Sequence, residues 1–170
     1  MKNKKNRIKN HYILILGVCV LIGCAIFSAV SVFNKVEKDD VNKSPLATNE
    51  ILYTDIKNAL KEINADTFLV ISYTGDIQVH KNEKEIEKYL KKINLLDNVM
   101  YLDMKEYIND ENCLTNLNKI LGLKNDEEVR TLPAVVFYKN GIVESVSNST
   151  NGNLEKSIFK NYIDQNGLAS

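Results

Sequence analysis

The chain has no tryptophan, two prolines, seven glycines, three cysteines and two histidines in its 170 residues. Each scarcity removes a class of protein. Two of the three cysteines, Cys19 and Cys24, sit inside one apolar run, so the part of the chain beyond it has Cys113 alone and cannot close an intramolecular disulfide. His11 and His80 stand far apart, and no three- or four-ligand metal pattern forms around either. The glycines build no phosphate-cradling loop. A nucleophile elbow, a paired-acid motif, an internal repeat and a low-complexity tract are absent as well. No cofactor is called for. An excess of positive charge is also lacking. The chain has 22 basic and 22 acidic residues, and five of the basic ones (Lys2, Lys4, Lys5, Arg7, Lys9) fall in the first eleven positions. The remainder holds 17 basic against 22 acidic residues, a net −5. That sign argues against a nucleic-acid surface. The scattered Lys and Glu read as a solvated face.

What the chain does have is one long apolar run. Tyr12 to Phe33 contains no charge over 22 residues. At about 1.5 Å of rise per residue such a helix covers a bilayer core of about 30 Å. The basic tail before it and Glu37, Asp39 and Asp40 after it set the orientation, with the tail inside and the rest outside. The expected organisation is a basic cytoplasmic tail over 1–11, a transmembrane anchor over 12–33, a polar linker over 34–48 containing Pro45, and a domain over 49–166. The protein is then a single-pass protein of the cell membrane with an extracytoplasmic domain. A rival reading is a lipoprotein signal. Leu21-Ile22-Gly23-Cys24 resembles a bacterial lipobox, in which Cys24 is lipidated and becomes the new N-terminus. Against it, the nine residues after Cys24 stay apolar.

Hydrophobic spacing orders the domain. Leu52, Ile56, Ala59, Leu60 and Ile63 predict a helix over 49–63. Phe68 to Tyr73 predicts a strand buried on both faces. Ile86, Tyr89, Leu90 and Ile93 predict a helix, and Val99 to Leu102 a second strand. Leu114, Leu117, Ile120 and Leu121 predict a helix ended by Gly122. Ala134 to Tyr138 and Ile142 to Val146 predict two antiparallel strands joined at Lys139-Asn140-Gly141, since Asn-Gly is a leading hairpin signal. Leu154, Ile158, Phe159, Tyr162 and Ile163 predict the last helix. The order is α-β-α-β-α-β-β-α, an α/β sandwich with a mixed sheet, its first two strands parallel and helices on both faces. His80 is expected in an exposed loop.

This order, ending in Thr131 to Val146 (TLPAVVFYKNGIVESV), resembles the thioredoxin fold over roughly 49–166. A proline just before a strand, then an aromatic, a Lys-Asn-Gly turn and a second strand are the features that carry it. The resemblance implies that Leu132-Pro133 is cis and borders a groove. It implies a partner site made of Thr131, Leu132, Pro133, Tyr73 and Gly75. The tail, the single anchor and this domain resemble, more narrowly, thioredoxin-like accessory proteins of Gram-positive bacteria, including those named for bacteriocin transport. One departure outweighs the match. Redox thioredoxins carry Cys-x-x-Cys between the first core strand and the next helix, where the helix N-terminus activates a thiol. Ser72 to Glu85 (SYTGDIQVHKNEKE) has no cysteine. The expectation is a non-catalytic, membrane-held module that binds a protein partner or an extended peptide in an envelope or export process. Two alternatives remain. One is a structural subunit of a membrane assembly, packed through Gly17, Gly23, Ala25, Ser28 and Ala29 of the anchor. The other is a single-thiol redox protein using Cys113.

Overall fold

Nine elements succeed one another in a computed structural model that describes residues 40–63 and 65–168. They are β1 (Glu50–Ile51), α1 (Ile56–Glu62), β2 (Thr67–Ser72), α2 (Ile77–Lys92), β3 (Val99–Asp103), α3 (Cys113–Leu121), β4 (Ala134–Lys139), β5 (Ile142–Asn148) and α4 (Lys156–Gln165). The tail over 1–11, the anchor over 12–33 and Cys24 lie outside the described residues. Among the described residues no helix is long and apolar enough to cross a membrane. From Val41 onward the chain forms one compact unit.

The strands make one sheet in the order β1-β3-β2-β4-β5. β2 runs parallel to β3 and antiparallel to β4, and β4 and β5 form the expected hairpin. Alternation sorts the central strands onto two cores. Phe68 and Val70 of β2 and Val135 and Phe137 of β4 face Ile86 and Leu90 of α2 and Phe159 and Ile163 of α4. Leu69, Ile71, Val136 and Tyr138 face Ile56 of α1 and Leu117 and Leu121 of α3. Helices therefore cover both faces, as their periodicity requires. Each fully buried aliphatic or aromatic side chain contributes about 1.5–3 kcal/mol.

Turn chemistry holds where the sequence placed it. Asn140 and Gly141 both take positive φ (53° and 79°). A Cβ on Gly141 would come within 2.6 Å of the Ile63 carbonyl oxygen, so only glycine fits there. Gly122 ends α3 in the left-handed conformation at φ 73°. The Leu132-Pro133 bond is cis.

Three expectations are corrected. The helix expected over 49–63 is a strand and a shorter helix. Ile51 pairs with Leu102 of β3, and a turn through Leu52–Asp55 delays α1 to Ile56. Residues 41–48, expected as the end of a linker, belong to the folded unit. Leu46 has no exposed surface, and Ser44 is buried with it. α2 begins at Ile77, well before its apolar stripe, because Asp76 caps it by accepting from the Gln78 and Val79 amides. His80 is thereby half-buried in a helix instead of exposed in a loop, and its Nδ1 has no hydrogen-bond partner among the described residues.

Candidate functional site

The carboxyl ends of the three parallel strands and the entry into β4 meet along one end of the sheet. Ser72 pairs with Asp103 of β3, and Ile71 pairs with Ala134 of β4. That register sets Ser72 opposite Pro133. Tyr73 and Gly75 follow directly, so the structure brings all five expected site residues to this end. Open α/β sheets bind ligands at such strand ends.

The proline loop is braced against β5, with Pro133 buried and Leu132 half-buried. Thr131 is spent on β5 and the residues after it. Its amide donates to Asn148 Oδ1 at 3.2 Å, and its hydroxyl donates to the Ser149 carbonyl at 2.9 Å. The Ser149 amide donates to the Pro133 carbonyl at 3.0 Å. Asn148 also receives the Arg130 amide and donates to the Glu128 carbonyl. Between these anchored residues, the Leu132 N–H and C=O have no hydrogen-bond partner among the described residues. Leu132 is half-buried by its side chain, which packs on the α1/α3 core. A donor and an acceptor of the main chain therefore stand unused beside the proline.

Opposite lies the loop Tyr73–Asp76. Thr74 is clamped to Asp103, its amide donating to Oδ1 at 3.2 Å and its hydroxyl to Oδ2 at 2.6 Å. Gly75 sits at φ +97° and donates its amide to the Val41 carbonyl at 2.8 Å. Tyr73 is half-buried, and burial, with Asp76 and Glu83 nearby, raises its phenol pKa. Behind the loop is a buried carboxyl that sequence reasoning left among the solvated charges. Glu83 is 3% exposed. It accepts from Ser72 Oγ at 2.5 Å, Ser44 Oγ at 2.7 Å and the Tyr101 hydroxyl at 3.3 Å. Burial raises its pKa despite these three donors, and the Asp103 carboxylate adds to the rise.

Beside β1 the same end opens into a cleft of about 360 Å³. Tyr53 and Tyr107 line it with their rings stacked, centroids 4.4 Å apart. Glu50, Leu52, Asp103, Lys105 and Glu106 also line it. None of these residues was singled out from the sequence as a site residue. The signal was present for Asp103, Lys105, Glu106 and Tyr107, which follow the second predicted strand, but Glu50, Leu52 and Tyr53 were concealed inside the expected first helix.

Cys113 opens α3 and is 5% exposed. Burial, and then the Asp110 carboxylate, push its thiol pKa up. The first turn of a helix would favour a thiolate, but desolvation and a like charge dominate here.

The strand order, the parallel β2/β3 pair, the β4–β5 hairpin entered through a cis-proline, and helices on both faces define a thioredoxin-like α/β fold. Several solved structures are similar to the chain at low identity. Thioredoxin O2 from Arabidopsis thaliana, in the oxidised state, is 13% identical over 72% of this chain and 96% of its own, with a TM-score of 0.45. Chlamydomonas reinhardtii thioredoxin f2 is 10% identical over 72% of this chain and 98% of its own, with a TM-score of 0.49. Fasciola hepatica thioredoxin is 11% identical over 69% and 98%, with a TM-score of 0.46. No protein-family model and no curated protein matches the chain.

Proposed function

We propose that this chain is a membrane-anchored, extracytoplasmic thioredoxin-like module that binds an extended segment of a partner protein and carries out no dithiol redox chemistry. The observation that carries the reading is the unpaired Leu132 N–H and C=O beside Pro133. An extended peptide is the ligand that answers an unused main-chain donor and acceptor, by pairing with them as a strand pairs. Leu52 and Ile77, at 64% and 75% exposure, follow the ends of β1 and β2 and supply apolar contact at the same end of the sheet. The chemistry of a dithiol exchange has no residues to run on. The loop Tyr73–Asp76 has no cysteine, and Cys113 is buried with a raised pKa. The uncharged run Tyr12 to Phe33 and the basic residues before it support the anchor and its orientation.

The peptide reading is tested by fluorescence anisotropy with short labelled peptides of alternating Thr and Val. Leu132→Pro removes the free amide and should weaken binding about fivefold or more, as loss of one main-chain hydrogen bond implies. Circular dichroism should show the fold retained. Unchanged affinity in that variant counts against the site. In an insulin-reduction assay the full chain should match reductant alone. Turnover above that level, abolished by Cys113→Ala, would instead establish a single-thiol enzyme.

A further inference from the structure

The buried Glu83 ties together three pieces of chain behind the loop Tyr73–Asp76, and one of them lies outside the sheet. Ser72 ends β2 and Tyr101 lies in β3, both in paired strands. Ser44 belongs to the segment 41–48, a strap bonded to the same end of the domain. The strap holds the loop directly, since the Gly75 amide donates to the Val41 carbonyl at 2.8 Å. It is fastened by Leu46, which has no exposed surface, and by the bond from Ser44 Oγ to Glu83 at 2.7 Å. Ser44 Oγ also receives the Leu46 amide at 3.1 Å, so one hydroxyl joins the two fastenings. A neutral Glu83 keeps its three contacts by donating its proton to one serine hydroxyl and accepting from the other and from Tyr101. An ionised Glu83 holds a whole charge at 3% exposure. The groups that act most on it are Ser44 of the strap, Ser72 of β2, and Tyr101 and the Asp103 carboxylate of β3, none of them a cation. Tyr73, just after β2, also senses its charge. On α2 itself His80 and Glu87 lie one turn away and Lys84 is adjacent in sequence. α4 turns Phe159 and Ile163 to the core that α2 shares and leaves Lys156, Lys160 and Asp164 exposed. In the strap Lys43 is exposed, and Lys105 after β3 donates its ammonium to Asn42 Oδ1 at 3.0 Å.

We infer that Glu83 is a pH-sensitive latch: protonated, it holds the strap 41–48 shut on the loop Tyr73–Asp76, and ionised, it lets the strap go. The strap yields before the sheet does, because Ser72 and Tyr101 are held in paired strands and Ser44 is in none. With the strap released, Glu83 meets water and titrates as an ordinary carboxyl. With the strap closed, burial holds its pKa above that value. The closed form therefore binds the proton more tightly. Its hold is complete below the ordinary carboxylate pKa and is lost as pH rises through the raised value. The latch acts on the loop of the protein alone, so it stands independently of the peptide reading.

Amide hydrogen exchange on the full-length chain, read by NMR from about pH 4 to pH 8, tests the latch. The protection factor of the Gly75 amide, corrected for the intrinsic pH dependence of exchange, should fall about tenfold or more over that range. One proton is released, so the fall should not exceed about tenfold per pH unit. In Glu83→Gln the protection factor should stay constant with pH. The Val70 amide, in the centre of the sheet, reports unfolding of the whole domain. Gly75 should be less protected than Val70 at every pH, and low urea should speed exchange at Val70 but not at Gly75. That comparison is made in the wild type, so it decides even where Glu83→Gln fails to fold. A Gly75 protection factor that is flat with pH, or that falls equally in Glu83→Gln, overturns the latch. Exchange of Gly75 at the rate and urea dependence of Val70 overturns it too, because the strap then opens only with the domain.

Discussion

Glu83 shows how a single residue escapes pattern reading. On α2 it stands among Lys81, Lys84, Glu85 and Glu87, and its neighbours in sequence mark it as one more solvated charge. Its environment is set by Ser44, Ser72 and Tyr101, drawn from three separate segments. Sequence order holds no trace of that convergence. The folded state binds the Glu83 proton more tightly than the unfolded chain does, since burial raises the pKa. The stability this supplies is complete below the ordinary carboxylate pKa and is lost as pH rises through the raised value. Glu83→Gln has no such dependence. Denaturation midpoints measured from about pH 4 to pH 8 should show wild type losing ground to Glu83→Gln as pH rises. A gap constant with pH would contradict the raised pKa. Tyr162 is a second case. Its hydroxyl accepts the Phe137 amide at 3.1 Å and donates to the Ser145 carbonyl at 2.8 Å, at the irregularity between Phe137 and Tyr138 in the β4–β5 ladder. Periodicity identified Tyr162 as a core residue but not as the group that fills a gap in the ladder. Tyr162→Phe should cost about 1–3 kcal/mol in chemical denaturation, because it leaves a buried amide unpaired.

Elements with a full apolar stripe or run, such as β2, β4, α3 and α4, were legible within a few residues. Those without one were not. β1 has two residues, too few to show alternation, and Leu52 and Ile56 on either side of a turn imitate one helical face. The segment 41–48 contributes one large side chain, Leu46, and a lone apolar residue has no period. Yet it straps the site from outside: Val41 holds the Gly75 amide, Asn42 holds Lys105, and Ser44 holds Glu83. Leu46→Ala should destabilise the domain by about 2–5 kcal/mol, as any fully buried leucine does. A change below about 0.5 kcal/mol is the surface value, and it would return the segment to the role of linker. The loop before Pro133 is held by a similar device. Asn118 of α3 donates to the Val129 carbonyl and accepts the Val129 amide, both at 2.9 Å. Asn118→Ala should cost about 1–3 kcal/mol for each buried group left unpaired. The melting temperature should fall accordingly.

At the scale of the molecule, the sequence pattern predicted the parallel β2/β3 pair and the antiparallel β4–β5 hairpin, but not the β2/β4 pairing that joins them. The family resemblance supplied the end of the sheet that bears the proposed site. Pro133, Tyr73 and Gly75 were accessible that way because each is marked by a local signal: a proline before a strand, a strand end, a glycine in a turn. The free main chain of Leu132 was not, since it depends on where the hydrogen bonds of Thr131 and Ser149 are spent. The proposed topology places this end of the domain outside the cell. Protease added to intact cells should remove a C-terminal epitope, and protection until lysis would reverse the orientation. The central claim is that a partner peptide pairs with Leu132. Amide NMR during titration with a Thr/Val peptide tests it most directly. The Leu132 amide should shift and become slow to exchange, while the Thr131 and Ser149 amides, already bonded within the chain, keep their exchange rates. Binding that leaves Leu132 unmoved and perturbs the free edge of β5 instead would contradict the account.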